Sequence, residues 1–140
     1  MALSASRLEI GQVHEEVVVE DLKRTQLVQY SGASGDYNPL HSDEVFATRV
    51  AGYPTVFAHG MLTMGMTGKM LTSWVGDGRL TKFGVRFVGQ VWPGDTLTAR
   101  ATVAAVRREG EARVVDLTLE TVDQEGRIVM TGSATARVDA

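Results

Sequence analysis

Between residues 60 and 75 the apolar positions go nearly all the way round a predicted helix. They are Met61, Leu62, Met64, Met66, Met70, Leu71, Trp74 and Val75. A helix that is apolar on every side is normally buried. Gly65 and Gly68 each lower its helix propensity by roughly 1 kcal/mol relative to alanine, which is most simply explained by something packed close to the backbone. We therefore predict a buried helix that contacts a sheet or a ligand at these glycines.

Beyond Gly76 the pattern changes to strands in which apolar and polar residues alternate. Four β-rich runs, separated by glycine-containing turns, cover residues 80–91, 96–107, 112–122 and 127–138. The alternation is clearest in two sets of apolar positions, which are Phe83, Val85 and Phe87 in one run and Val115, Leu117 and Leu119 in another. Strands joined by short turns predict an antiparallel meander with one buried and one polar face.

The first half of the chain predicts one strand and two shorter helices. Residues 12–19 are β-branched and favour a strand, after which Glu20 and Asp21 favour the start of a helix that runs to about Gly32. A second short helix is predicted between residues 42 and 52. The expected architecture is a single α+β domain over residues 1–140, in which an antiparallel sheet wraps around the long hydrophobic helix. This description matches the hotdog fold.

A polar loop lies between the two shorter helices, where residues 35–41 read Gly-Asp-Tyr-Asn-Pro-Leu-His. It places the carboxylate of Asp36 and the imidazole of His41 five residues apart. Gly35 permits backbone conformations closed to other residues, and Pro39 keeps Asn38 out of the helical region. A carboxylate and an imidazole held together over such a loop can share one water molecule and act as an acid/base pair. The alternative is an ordinary surface turn, which uses the same residue types.

The loop also resembles the signature of a known family. Gly35, Asp36, Asn38, Pro39 and His41 match the Gly-Asp-x-Asn-Pro-x-His core of the MaoC-like dehydratases and (R)-specific enoyl-CoA hydratases. Residues 58–65 and 72–77 are similar to the mycobacterial-type 3-hydroxyacyl dehydratase subunit. The resemblance implies reversible hydration of trans-2-enoyl thioesters to (R)-3-hydroxyacyl thioesters in fatty-acid metabolism, with the proton transfers at Asp36 and His41. Which of the two performs each transfer is left open.

Such a reaction needs a group that stabilises negative charge on the thioester oxygen. Gly60 begins the buried helix, where a backbone N–H is unpaired and the helix dipole favours negative charge. Three further residues are assigned supporting roles: Ser34, Asn38 and His59. Asn38 holds the loop through its amide, although a plain Asx-turn is the alternative. His59 belongs to the wall of the site rather than to its machinery.

Substrate contacts are predicted further along the chain. Gly68 and Leu71 lie two to three turns along the helix that starts at Gly60, and could border an acyl pocket. Lys82 and Arg86, with Arg79 nearby, could meet the phosphates of coenzyme A or an acidic acyl carrier protein. The alternative for these cations is a solvated strand face. The sequence leaves open the acyl chain length, the carrier and the physiological direction.

Composition excludes several other classes of function. The net charge of −3 argues against a nucleic-acid binder. The lack of cysteine excludes disulfides and a thiolate nucleophile, and is compatible with the cytoplasm. The apolar segment is shorter than the roughly 20 residues of a membrane span and contains Lys69, so no membrane association is predicted. Asp36, His41 and His59 could in principle bind a metal, but we predict neither metal nor cofactor because their spacing matches no familiar ligand pair.

An isolated hotdog sheet has an open edge, which predicts a dimer. The expected state is a homodimer, with a heterodimer with a related subunit as the alternative. Two other functions stay open at this point. One is a hotdog thioesterase, and the other is a subunit of a heterodimeric 3-hydroxyacyl-ACP dehydratase. The intact Asp36 and His41 pair favours an active hydratase over both a thioesterase and a non-catalytic subunit.

Overall fold

A computed structural model describes residues 3–140, so that Met1 and Ala2 lie outside the described residues. Within that range the chain forms a five-stranded antiparallel sheet and two α-helices. The strands are β1 (Val13–Val19), β2 (Leu80–Phe87), β3 (Leu97–Glu109), β4 (Ala112–Val122) and β5 (Ile128–Val138). The helices are α1 (Arg24–Ser34) and α2 (Gly60–Val75), with short helical turns at Ala5–Arg7, Pro39–His41 and Phe46–Val50.

The strand order corrects the predicted meander. The order is β1-β3-β4-β5-β2, so β3, β4 and β5 are consecutive neighbours, but β2 pairs with β5 at the far edge instead of with β3. The place beside β3 is taken by β1. Alternation predicts which residues face the core, but it does not say which strands are neighbours. The connection from β2 to β3 must therefore cross the end of the sheet.

The start of α1 also differs from the prediction. The chain at Asp21 has a left-handed backbone with φ of 46°, and the N–H of Leu22 donates to the carbonyl of Asp95 at 2.9 Å. These features tie the segment to the sheet, so the helix begins only at Arg24. It ends at Ser34, two residues beyond the expected Gly32.

The long helix α2 has the predicted bounds, but only one side of it is buried. Met61, Gly65, Lys69 and Ser73 form an exposed stripe along the helix, so the prediction of a helix buried on every side is wrong. Met70, Leu71 and Val75 pack with the inward side chains of the sheet, among them Val115 and Leu117. The helix contacts β1, β2, β3 and β5, so the sheet wraps around it as expected for a hotdog fold. No helix within residues 3–140 combines the length and the apolar character that a membrane crossing requires.

The two glycines inside α2 have different surroundings. A methyl group on Gly68 would lie 3.1 Å from the ring of Phe83 on β2, so the absence of a side chain permits this contact. A methyl group on Gly65 would meet no atom of residues 3–140 within 4 Å. The expectation of a sheet contact is therefore confirmed at Gly68 and wrong at Gly65, where contact with a ligand stays a prediction.

Candidate active site

The polar loop begins where a glycine ends α1. Gly35 adopts a left-handed conformation with φ of 77°, and its N–H donates to the carbonyl of Ser31 at 3.0 Å. Ser34 donates its hydroxyl to the carbonyl of Tyr30 at 2.7 Å and accepts from the N–H of Asp36 at 3.1 Å. The chain thus reverses immediately after the helix. Asp36 is exposed, and its N–H is bound by Ser34 at the end of α1.

The second half of the loop is built on Asn38. Oδ1 of Asp36 accepts from the N–H of Asn38 at 3.2 Å, and Oδ1 of Asn38 accepts from the N–H of Leu40 at 3.0 Å. The second bond caps the 3₁₀ turn Pro39–His41, in which Pro39 occupies the first position. Proline is well suited there because the first N–H of a helical turn has no partner within it. The turn brings His41 into the protein interior.

His41 is buried and its tautomer follows from its partner. Nδ1 lies 2.6 Å from the main-chain carbonyl oxygen of Phe57. A carbonyl can only accept, so Nδ1 must carry the hydrogen. In the neutral ring Nε2 then keeps a lone pair that can accept a proton. The backbone of the segment before α2 therefore sets the chemical state of the loop's histidine.

An ion-pair network supports the segment that carries Phe57. Nη1 of Arg24 lies 2.7 Å from Oε2 of Glu44, and Nη2 donates to Oγ1 of Thr55 at 2.8 Å. Thr55 in turn donates to Glu44 at 2.8 Å. The hydrogen bonds from Arg24 and Thr55 hold the pKa of Glu44 below its usual value. The network joins the start of α1 to the chain just before Phe57.

His59 is buried beside His41 and contacts the loop. The two imidazole rings stack with centroids 3.8 Å apart and an interplanar angle of 24°. Nε2 of His59 lies 3.1 Å from the main-chain oxygen of Asp36 and 3.1 Å from Oγ of Ser31. The Tyr30 ring also packs against it at an interplanar angle of 68°, with centroids 4.8 Å apart. Burial is the main cause that lowers the pKa of His59 from its usual value.

The three candidate groups of the loop and helix come together in space. A carboxylate oxygen of Asp36, a ring nitrogen of His41 and a ring nitrogen of His59 all lie within 4.8 Å of one another. This separation lets one water molecule bridge two of the groups, because each hydrogen bond spans about 2.8 Å. The same three groups could face a metal ion, although His41 and His59 each use one ring nitrogen for a main-chain bond. The absence of a metal stays a prediction.

Gly60 is the first residue of α2 and lies directly after His59. Helix geometry leaves its N–H without an intrahelical partner. Gly60 lines a cavity of about 350 Å³. The other lining residues are Phe57, Ala58, Thr63, Phe87, Val88, Gly89, Gln90, Val91 and Val129. Asp36 and His41 do not line this cavity, but Phe57 both borders it and binds His41.

The predicted substrate-contact residues lie outside this cavity. Gly68 is covered by the ring of Phe83, and Leu71 is completely buried in the core. Lys82 and Arg86 are exposed on β2, at one edge of the sheet. The structure thus brings Asp36, His41 and His59 together, and Gly60 follows His59 directly in the chain. The predicted contact residues Gly68, Leu71, Lys82 and Arg86 do not line the cavity that Gly60 borders.

Sequence reasoning missed two contributors to the site. Phe57 acts through its main-chain oxygen, which no side-chain pattern reveals. The ring of Phe87 covers Gly60, yet its position on β2 predicted only an inward-facing core residue. Ser31 could have been identified from the sequence as a residue facing the interior, because it lies on the same helical face as Leu27 and Tyr30.

Comparison with known proteins identifies the family of this chain. The MaoC like domain matches residues 6–125. The 3-hydroxyacyl-thioester dehydratase Y of Mycobacterium tuberculosis is 46% identical over 68 residues, which are 46% of this chain and 23% of that protein. The (R)-specific enoyl-CoA hydratase of Aeromonas caviae is 28% identical over 143 residues, covering 97% of this chain and 99% of that one.

Solved structures agree with the sequence match. The (R)-hydratase from A. caviae superimposes with a TM-score of 0.82 over 94% of this chain and 98% of that one, at 28% identity. Several relatives are much longer, and the chain spans 23% of dehydratase Y and 32% of the M. tuberculosis enoyl-CoA hydratase ChsH3. The match over residues 6–125, the fold and the Asp36–His41 loop together establish that the chain belongs to the MaoC-like domain family.

Proposed function

We propose that this chain is a hydratase/dehydratase that interconverts trans-2-enoyl and (R)-3-hydroxyacyl thioesters in fatty-acid metabolism. The observation that carries the proposal is that the Asp36 carboxylate lies close to the His41 ring. Nδ1 of that ring donates to the carbonyl of Phe57, so Nε2 keeps the lone pair. A ring nitrogen of His41 and a carboxylate oxygen of Asp36 thus lie within 4.8 Å, a distance that one water molecule can bridge. The similarity to an (R)-specific enoyl-CoA hydratase along nearly the whole chain supports the same chemistry.

In the hydration direction, Asp36 and His41 hold the reacting water between them. The water oxygen forms a bond to C3 of the acyl chain, and the double-bond electrons move toward the thioester oxygen. One member of the pair takes a proton from the water, and the pair passes that same proton on to C2, so that both groups return to their starting protonation states. The sum is addition of H and OH to the double bond, and dehydration is the same path reversed.

The charge that develops on the thioester oxygen is stabilised by the N–H of Gly60. This donor is free of the helix ladder and stands at the positive end of the α2 dipole. Gly60 also lines the cavity of about 350 Å³, which is large enough for part of a thioester. Loss of one such donor typically costs on the order of 10²-fold in rate.

The acyl chain extends from the cavity along α2 toward Gly68 and Leu71. In this protomer the ring of Phe83 closes that path, because it lies against Gly68. The open space therefore favours short acyl chains, and longer ones require Phe83 to move. Ser34 and Asn38 support the reaction by holding the loop in shape.

The carrier of the acyl chain is coenzyme A or an acyl carrier protein, contacted at the exposed cations Lys82 and Arg86. The chain acts as a dimer in the cytoplasm, either with itself or with a related subunit. Within residues 3–140, β2 pairs on one side only, and the apolar residues Phe87 and Val88 at its end are exposed, which supports an association at this edge.

The proposal is tested with enoyl-CoA esters of increasing chain length. Loss of the conjugated thioester absorbance on addition of the protein is expected for crotonyl-CoA, with slower loss as the chain lengthens. A parallel assay for free thiol distinguishes hydration from the hydrolysis that a thioesterase would catalyse. If no ester of any length loses absorbance, with or without carrier protein, the proposed activity is wrong.

A further inference from the structure

We propose that His59 is a positioning residue, which fixes the separation of Asp36 and His41 by contacting both of them. It binds the main chain of Asp36 through Nε2 and stacks its ring on the ring of His41. This inference rests on the proposed function, because it concerns the geometry of that acid/base pair. It assigns His59 no proton transfer of its own.

The hydrogen bond to Asp36 has one possible direction. The acceptor is a main-chain carbonyl, 3.1 Å from Nε2, so Nε2 must carry the hydrogen. Oγ of Ser31 lies at the same distance from that nitrogen and shares the hydrogen as a second acceptor. His59, at the start of α2, thereby ties the loop to the end of α1. The main chain of Asp36 cannot shift without breaking this bond.

The contact with His41 is of a different kind. The rings lie nearly parallel, with centroids 3.8 Å apart, so His59 covers one face of the His41 imidazole. The bond from His41 to Phe57 restrains one edge of the ring, and the stack restrains rotation out of its plane. One residue therefore limits movement of both reacting groups. A misplacement of about 1 Å in such a site can cost on the order of 10²-fold in rate.

The surroundings also keep His59 neutral. Its Nδ1 is buried and has no hydrogen-bond partner within residues 3–140. A protonated ring would place an N–H donor there with no acceptor, which is unfavourable in the interior. The groups that face the ring are Tyr30, Ser31, Asp36 and His41. A neutral neighbour lets His41 take up a proton without repulsion from a second cation.

Two substitutions separate the contacts. His59→Gln keeps an N–H donor for Asp36 but removes the ring, and His59→Phe keeps a ring on His41 but removes the donor. We expect His59→Phe to lower kcat by roughly 10- to 100-fold with little change in KM. His59→Gln should recover most of that loss. His14→Phe is the matched control, because His14 stacks on Trp74 instead and should keep wild-type kcat.

Thermal unfolding of all variants separates positioning from folding. Wild-type kcat in both His59 variants would overturn the inference, as would equal losses of kcat that follow a common loss of Tm. Amide hydrogen exchange gives a readout that does not depend on activity. Exchange at residues 36–41 should accelerate in His59→Phe but not in His59→Gln. If the wild-type protein hydrates no ester, the proposed function fails, while unchanged exchange in His59→Phe would independently overturn the positioning role.

Discussion

The ring of Phe87 lies over Gly60 so closely that a methyl group on Gly60 would be 3.1 Å from its carbons. Few real side chains approach so tightly, so a larger residue at position 60 would displace the ring or the helix. Gly60 is also the first residue of α2 and lines the cavity. Gly60 therefore has a packing role, since only a residue without a side chain fits under this ring.

Gly60→Ala is expected to lower kcat/KM for crotonyl-CoA by about 10- to 100-fold, because the added methyl group displaces the ring of Phe87 or the start of α2, and with it the N–H that binds the thioester. Gly65→Ala is the control on the same helix, where a methyl group meets no atom of residues 3–140 within 4 Å. It should keep wild-type activity and raise Tm, since alanine favours helix by roughly 1 kcal/mol over glycine. Full activity in Gly60→Ala would contradict the placement of the thioester at this N–H.

Asn38→Ala removes the acceptor that caps the turn before His41. We expect a loss of about 1 kcal/mol in the free energy of unfolding, measured by urea denaturation. Activity should fall as well, because the segment that joins Asp36 to His41 loses the hydrogen bond from the N–H of Leu40 to Asn38. Asn38→Asp keeps an oxygen acceptor and should retain most of the stability. Equal stability of the alanine variant and wild type would mean that the cap does not hold the loop.

Gly132 on β5 is the position where the sheet tolerates no side chain. A Cβ there would lie far inside contact distance of the main-chain carbonyl of Gly84 on the paired strand β2. Gly132→Ala is therefore expected to destabilise the fold by roughly 3 kcal/mol, as overpacking does. Gly84→Ala, across the same strand pair, meets nothing within 4 Å in residues 3–140 and should change stability by less than about 0.5 kcal/mol. Similar Tm values for the two variants would contradict the β2–β5 register.

Asp123 links the cavity wall to the stability of the fold at low pH. Burial acts to raise the pKa of Asp123, but hydrogen bonds from the N–H groups of Arg127 and Glu125 and from the Arg127 guanidinium outweigh it, so the pKa is lowered. Arg127 in turn donates to the carbonyl of Gln90 at 2.6 Å. The carboxylate therefore stabilises the folded state above its unfolded pKa of about 3.9, and this stabilisation is lost as the pH falls through the lower folded value.

Asp123→Asn should accordingly lower Tm at pH 7, and the difference from wild type should shrink on acidification below about pH 4. Tm measured across the pH range checks this. Asp77→Asn, at an exposed turn, removes a carboxylate without this network and should give a small difference at every pH. A difference in Tm between Asp123→Asn and wild type that stays constant down to pH 2 would show that the charge of Asp123 does not cause the stabilisation.

The helices and strands with clear hydrophobic patterns could be predicted from the sequence. Their spatial arrangement could be predicted only in part. The apolar run of α2 gave its bounds, and the loop residues 35–41 identified Asp36 and His41. The place of β2 beside β5 could not be deduced, because alternation does not encode strand neighbours. The contribution of Phe57 was equally hidden, since its carbonyl is shared by every residue type. The position of His59 just before α2 predicted that it lines the site, but its contact with Asp36 depends on the fold.

The central claim is that Asp36 and His41 form the acid/base pair of a thioester hydratase. The most direct measurement is the rate at which crotonyl-CoA loses its conjugated thioester absorbance with the wild type, Asp36→Asn and Asp43→Asn. Asp43 also lies in the loop region, where its carboxylate caps Phe46, and asparagine preserves that acceptor. We predict wild-type rates for Asp43→Asn and a loss of roughly 10²- to 10⁴-fold for Asp36→Asn, with the fold unchanged. Steady hydration by Asp36→Asn at the wild-type rate would contradict the account.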